Sequence, residues 1–283
     1  MAAHENRWWN DPELWVEVFV ILNLGFLALD IYLAHSENQF RNRAEYMPLF
    51  LSLTAPFILI AAQIERKGRR IVWKILGYVI GWMAIMVGLA GMILHLDSSF
   101  FYERTIQSLT YSAPFAAPLA YTGLGFLLTM NRMVNAESVE WAQWVVLFTL
   151  GGFVGNFIFS VADHAANGFF FTVEWAPVVA SAAAIGFLSV LLLLPGSYLM
   201  LRISVTVLLL DAGVGVWGFI LHTMGNLRGP SIRAFDNFIY GAPAMAPLLF
   251  PNLVLLGLIG LWRLKQALAY PAGRLESAHG SQS

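Results

Sequence analysis

The sequence contains no cysteine, and only 12% of its residues are charged. Without cysteine the chain forms no disulfide, no thiolate zinc site, no cysteine-held iron–sulfur cluster and no covalently attached c-type haem. Any bound metal would therefore have nitrogen and oxygen ligands. The formal net charge is −1 and no segment is strongly basic, so nucleic acid is not an expected partner.

Hydrophobic residues, by contrast, are abundant, at 58% of the chain with a mean hydropathy of +0.67. One helix needs about 20 apolar residues to cross a bilayer, and eight runs approach or exceed that length. We therefore expect an all-α integral membrane protein in contact with the lipid bilayer, with eight transmembrane helices at 13–35, 46–64, 72–95, 110–131, 142–164, 174–195, 198–222 and 239–262.

Lysine and arginine are unequally distributed between the two predicted sides of the membrane. Eleven lie on the side of the N-terminus and five on the opposite side. Because cytoplasmic loops carry the excess of positive charge, we expect both termini in the cytoplasm, in a bacterial inner (plasma) membrane. Residues 1–12 would form a cytoplasmic N-terminal segment and residues 265–283 a flexible cytoplasmic tail, rich in Ala, Gly and Ser.

Two parts of the chain resemble each other. Residues 35–49 align with 164–178 at an offset of 129, and residues 88–95 align with 215–222 at an offset of 127. The prolines of the two halves match as well. This predicts two tandem four-helix units, 13–131 and 142–264, related by a pseudo-two-fold axis along the membrane normal, as parallel repeats are.

Four histidines end the odd-numbered predicted helices, all at one level near the outer face: His35, His95, His164 and His222. A helical hairpin places Glu45 beside His35 and Glu174 beside His164. Tyr111 and Tyr240 are expected to begin returning helices at the same level, where they could act as catalytic residues. Imidazole and carboxylate are ligands for iron, copper, zinc or manganese, so each unit is predicted to hold a metal or haem.

One hypothesis is haem b, with one histidine pair as axial ligands in each unit. Glycines stand four and seven residues before the second histidine of each pair, so they share its helix face and could form a groove for the macrocycle: Gly88, Gly91, Gly215 and Gly218. The alternative interpretation of this spacing is close helix packing.

The other hypothesis is a non-haem metal. Two histidines and one glutamate make a facial triad, and the two triads could share one dinuclear centre across the pseudo-two-fold axis. Tyr111 and Tyr240 would then be hydrogen-bond donors to the ligands. The glutamates favour this hypothesis, whereas the glycines favour haem.

Asp211 is the deepest charge of the chain, eleven residues before His222, or about 16 Å along a helix. The first unit has Ala84 at the matching position. Intramembrane charges are costly and usually functional, so Asp211 is a candidate for a proton path or a quinone site. The alternatives are a protonated, inert carboxyl group or a pairing with Arg202.

These features favour a membrane redox protein that takes electrons from a membrane donor such as quinol and passes them to an outer-face or membrane redox subunit. Whether it is itself an oxidoreductase enzyme or the membrane subunit of one stays open. Two other classes compete: a transporter or channel that binds a solute near Asp211, and a membrane scaffold subunit whose histidines are incidental.

Overall fold

The computed structural model describes residues 10–111 and 113–269, with the backbone alone at 106, 109 and 111. Residues 1–9 of the predicted N-terminal segment and 270–283 of the predicted tail lie outside it. The described residues form helices and no strand. They are α1 (Pro12–Ser36), α2 (Tyr46–Ile64), α3 (Arg70–Leu96), α4 (Phe100–Glu103), α5 (Ile106–Tyr111), α6 (Leu119–Met133), α7 (Val139–Ala166), α8 (Trp175–Leu193), α9 (Tyr198–Leu227), α10 (Ala234–Tyr240) and α11 (Leu249–Ala269).

Seven helices among the described residues are long and apolar enough to cross a membrane: α1, α2, α3, α7, α8, α9 and α11. Short 3-10 turns extend α2, α8 and α11 at their N-termini, over Arg43–Glu45, Thr172–Glu174 and Ala246–Leu248. The prediction of an α-helical membrane protein is thus supported. The predicted count of eight is not, because α6 has only 15 residues.

The fourth predicted span, 110–131, is broken in the structure. It divides into the end of α5, a non-helical segment and α6, which begins directly after Pro118. Pro114 and Pro118 explain the break, because proline lacks the amide proton of the helical hydrogen bond and clashes with the preceding turn. Tyr111, expected to begin the returning helix, instead ends α5.

The eighth predicted span, 239–262, is broken in the same way, by Pro243 and Pro247. Tyr240 ends α10, and α11 starts after the 3-10 turn that contains Pro247. At its other end α11 continues to Ala269, past the predicted start of the tail at residue 265. Leu264 and Ala267 are both buried, so the apolar face of α11 is still packed there.

Helix packing divides the molecule into two bundles. In the first bundle α1 packs on α2, α2 on α3, α3 on α6 and α6 on α1. In the second bundle α7, α8, α9 and α11 follow the same order around a closed ring. The bundles meet where α1 contacts α11 and α6 contacts α7, and the short helices α5 and α10 each reach across to the other bundle.

A buried ion pair lies in the first bundle, at the end opposite the histidines. Arg132, in the last turn of α6, makes two close contacts to Glu17 of α1, at 2.7 Å from Nη2 to Oε1 and 2.6 Å from Nη1 to Oε2. Both side chains are 0% exposed. The guanidinium carbon lies 3.6 Å from the ring centre of Trp73, and the group occupies the space beside Gly77.

This pair was missed in the sequence, where Arg132 counts as a loop charge. The structure buries it instead, because Glu17 lies on the facing helix within contact distance. The second bundle has Val146 and Leu261 at the matching positions, and both are buried. The same helix arrangement thus accommodates either an ion pair or two aliphatic side chains.

We expect Glu17→Val or Arg132→Leu alone to lower the free energy of unfolding by about 3–5 kcal/mol, since each leaves an unpaired buried charge. The double variant, which reproduces the residues of the second bundle, should recover most of that loss. Unfolding in mixed detergent micelles would measure all three variants. Single variants that each cost less than about 1 kcal/mol would show that the pair is solvated.

Candidate metal centres

The first site lies where α1 and α3 end and α2 begins, and comprises His35, Glu45 and His95. His35 Nδ1 is 3.5 Å from Glu45 Oε2, and the His35 and His95 rings are 6.1 Å apart, nearly perpendicular. The Nδ1 atom of His95 lies 3.0 Å from the carbonyl oxygen of Pro114. The free nitrogen of His95 is therefore Nε2.

The loop between α1 and α2 orients Glu45. Its Oε1 atom accepts hydrogen bonds from the Asn38 side chain at 3.0 Å and from the Asn42 amide at 3.3 Å, the latter completing a capping box. Its Oε2 atom is buried and has no hydrogen-bond partner. One carboxylate oxygen thus holds the loop, while the other is left free facing His35.

The second site repeats this arrangement with His164, Glu174 and His222. His164 Nδ1 is 3.9 Å from Glu174 Oε2, and the two histidine rings are 6.4 Å apart and nearly perpendicular. His222 Nδ1 lies 3.1 Å from the carbonyl oxygen of Pro243. Glu174 Oε2, like its counterpart, is buried without a hydrogen-bond partner.

A phenylalanine with positive φ packs on the first histidine of each site. Phe40 has φ 51° and Phe169 has φ 52°, a backbone conformation that aromatic residues rarely adopt. Each ring lies about 6 Å from its histidine, at 5.8 Å for His35 and 6.1 Å for His164. The amide of each phenylalanine also donates to the carbonyl of that histidine, so the turn holds the histidine in place.

The His–Glu distances match a shared metal ion better than a hydrogen bond. Both exceed the roughly 3.2 Å upper limit for N–H···O. Two donors bound to one ion at 2.0–2.2 Å are about 3–3.6 Å apart, so 3.5 Å in the first site fits and 3.9 Å in the second lies slightly beyond. A metal ion would also bind a lone pair of each buried Oε2 atom, which accepts no hydrogen bond.

The second histidine of each site stands further away. Within the described ranges no three His, Cys, Asp or Glu side chains already form a metal-binding group. A ligand set of three would therefore form only when the ring of His95 or His222 turns its Nε2 atom toward the His–Glu pair. The histidines pair within each bundle, which favours two separate sites over one dinuclear centre.

The glycines that suggested a haem groove are covered by a neighbouring helix. A Cβ atom on Gly88 would lie 2.7 Å from the amide nitrogen of Thr122, and one on Gly91 would lie 2.8 Å from Cβ of Pro118. Gly215 and Gly218 meet the segment around Pro247 in the same way. The space beneath His95 and His222 is thus filled by α6 and by the start of α11, so these glycines support close helix packing.

Tyr111, Tyr240 and Asp211 are not among the residues that the described contacts bring into the two sites. Tyr240 is 65% exposed, and the side chain of Tyr111 is outside the described residues. Asp211 is 1% exposed in the second bundle, and its Oδ2 atom has no hydrogen-bond partner. Arg202 is exposed, and no described ion pair joins it to Asp211.

Two elements of the sites were missed in the sequence: the phenylalanine turns and the proline carbonyls that bind His95 and His222. Only the second turn had a signal, because Asn167 and Gly168 precede Phe169 and this dipeptide favours a left-handed helix end. The carbonyl contacts had none, since they depend on the broken segments that cross the ends of α3 and α9.

Comparison with protein-family models, with curated proteins and with solved structures gave no match for this chain. The geometry of the two sites is therefore the main ground for a functional proposal.

Gly215→Ala should destabilise the protein, by about 1–3 kcal/mol as for overpacking, because its Cβ would lie 2.5 Å from Cδ of Pro251 and 2.6 Å from the Pro247 carbonyl oxygen. Gly213→Ala is the matched control in the same helix, since nothing lies within 4 Å of its Cβ position. It should be neutral or stabilising by up to about 1 kcal/mol. Thermal unfolding in detergent measures both, and equal effects would contradict the packing role of Gly215.

Proposed function

We propose that this protein is an integral-membrane redox metalloprotein with one non-haem metal site in each bundle. His35, Glu45 and His95 would bind the first ion, and His164, Glu174 and His222 the second. The observation that carries the proposal is the repeated free Oε2 atom, buried in both sites and facing the Nδ1 atom of a histidine at 3.5 and 3.9 Å.

The donor set indicates the chemistry. Two histidines and one carboxylate form the facial triad of non-haem iron oxygenases, which leaves coordination positions open for a small molecule. Bound iron, copper or manganese would supply one-electron chemistry, whereas zinc would supply a Lewis acid. The protein's own contribution is orientation, because the proline carbonyl at Nδ1 of His95 or His222 fixes the tautomer that presents Nε2.

Haem b is the weaker of the two cofactor hypotheses for this geometry. Its main sequence support was the glycine groove, and residues of the segments that begin at Pro118 and Pro247 occupy that space. The glutamates have no role in bis-histidine haem ligation, yet each stands beside a histidine in the structure. We therefore favour a non-haem ion, with haem as the alternative result of the spectroscopic test below.

The finer architecture belongs to the same proposal. We infer that α6 and the segment before it form the eighth membrane crossing, which makes two tandem four-helix units with a pseudo-two-fold axis. The same packing order in both bundles and the matched contacts of both sites support this. The distribution of Lys and Arg favours cytoplasmic termini and an inner membrane, with the histidine end facing outward. Quinol and an outer-face redox subunit are the partners that suit this orientation.

Anaerobic loading with Fe(II), followed by desalting and metal analysis, tests the proposal. We expect two iron ions per wild-type chain, one after Glu45→Gln or His35→Ala, one after Glu174→Gln or His164→Ala, and none when both sites are altered. Removal of a ligand typically costs far more affinity than the 10–100-fold loss seen for outer-shell partners. Glu37→Gln is the matched control, because Glu37 is exposed in the same loop.

Three results would contradict the proposal: less than one iron per wild-type chain, full iron content in the ligand variants, or a Soret band in the protein as purified. A Soret band would favour haem b over a non-haem ion. The redox role is tested separately, by mixing the iron-loaded protein in its oxidised form with a quinol under anaerobic conditions. Spectral reduction of the iron is expected in wild type and not in the variant lacking both sites.

A further inference from the structure

The second bundle has buried polar side chains at five positions where the first bundle has an aliphatic residue or glycine. On α7 these are Thr149, Asn156 and Ser160, and on α9 they are Ser204 and Asp211, all buried. The matching residues of the first bundle are Val20, Leu27, Ile31, Gly77 and Ala84. We call the five polar residues the polar column. The alignment shows that the first bundle forms without such a column.

The polar column lies on one face of α7 and one face of α9. Thr149, Asn156 and Ser160 are spaced by seven and four residues, and Ser204 and Asp211 by seven, so each set shares one helix face. Both faces reach α11 at Gly257, because a Cβ atom there would lie 3.0 Å from Thr149 Cγ2 and 2.8 Å from Leu208 Cδ1. Leu208 is one turn from Asp211 on the same buried face.

Two members of the column have unused hydrogen-bonding capacity. Asp211 Oδ2 and Asn156 Nδ2 are both buried without a hydrogen-bond partner. One is an acceptor or, when protonated, a donor, and the other is a donor. Unpaired buried polar groups are costly, and in proteins such groups are usually satisfied by buried water. Each of the two therefore requires a hydrogen-bonding partner, such as water, inside the bundle.

The column extends over most of the bilayer. Ser160 stands one turn before His164, Asp211 stands eleven residues before His222, and Ser204 is a further seven residues away. At 1.5 Å per residue Ser204 lies about 27 Å, and Ser160 about 6 Å, from the histidine that follows it on its helix, so the column spans about 21 Å of the roughly 30 Å hydrocarbon core.

We propose that the polar column is a proton path through the second bundle, with Asp211 as its titratable relay. The Asp211 carboxyl group gives its proton to a hydrogen-bonded water on one side and receives another proton from the opposite side. Asn156 and Ser160 orient the water toward the second site, while Thr149 and Ser204 continue the path away from it. No electron moves in this step. The path concerns the protein without metal, so it does not depend on the metal proposal.

Hydrogen–deuterium exchange of the Asp211 carboxyl group, followed by infrared spectroscopy on the full chain in lipid nanodiscs without metal, tests the path. The Asp211 band is assigned as the protonated carboxyl band that disappears in Asp211→Asn. In wild type it should shift in D2O within seconds of mixing. Because protons can reach Asp211 from either side of the path, both sides are closed together, in a double variant Asn156→Leu with Thr149→Val that introduces the residues of the first bundle. Exchange there should be at least about tenfold slower, because it then requires local opening of the bundle.

Ser160→Ile with Thr149→Val carries the same expectation and serves if the leucine variant does not fold. Leu27→Asn, the reverse change in the first bundle, is the matched control and should leave the rate unchanged. The proposal is overturned if no band disappears in Asp211→Asn, if wild-type exchange is as slow as in the blocked variants, or if all variants exchange as fast as wild type. None of these results bears on iron stoichiometry, so the two proposals fail independently.

Discussion

The close approach of α6 to α3, and of α11 to α9, is the constraint on which the rest of the structure depends. Gly88 lies directly against backbone atoms of Pro118 and Thr122, and Gly215 lies as closely against the Pro247 carbonyl oxygen and the side chains of Phe250 and Pro251. Because α6 and α11 start at this contact, the proline-containing segments before them must cross the ends of α3 and α9. There they present a carbonyl oxygen to His95 and to His222. A glycine contact that serves packing thus also decides which nitrogen of each histidine remains free.

The two bundles share this frame and differ in what they enclose. Each keeps a histidine–glutamate pair, a phenylalanine turn and a proline carbonyl at one end. The first bundle encloses an ion pair between Glu17 and Arg132, whereas the second encloses Asp211 and its polar neighbours. Apolar residues occupy the matching positions of the other bundle in both cases. The two similar sites therefore stand above bundles with different interiors. A proton path in the second bundle alone would make the two sites functionally unequal.

Several features could be predicted because they depend on local sequence. The short loop between α1 and α2 makes these helices antiparallel neighbours, so His35 at the end of α1 lies beside Glu45 before α2. His164 and Glu174 are brought together in the same way by the short loop between α7 and α8. The spacing of Gly88 and Gly91 could also be recognised in the sequence, but its structural role could not. A helix face without side chains suits a flat cofactor or another helix equally well, and only the position of α6 distinguishes them. Pro114 and Pro118, like Pro243 and Pro247, break the predicted spans, because two prolines four residues apart interrupt more than one turn.

The sequence by itself determined the membrane class and the repeated positions, because hydropathy and offset are properties of the chain read in order. Tertiary structure alone decided the pairing of histidines within each bundle, the free oxygen of each glutamate, the burial of Arg132 and the burial of Asn156 and Asp211 inside one bundle. Each of these depends on contacts between residues far apart in the chain. Such contacts follow from how the helices pack, which the order of residues along one helix does not specify.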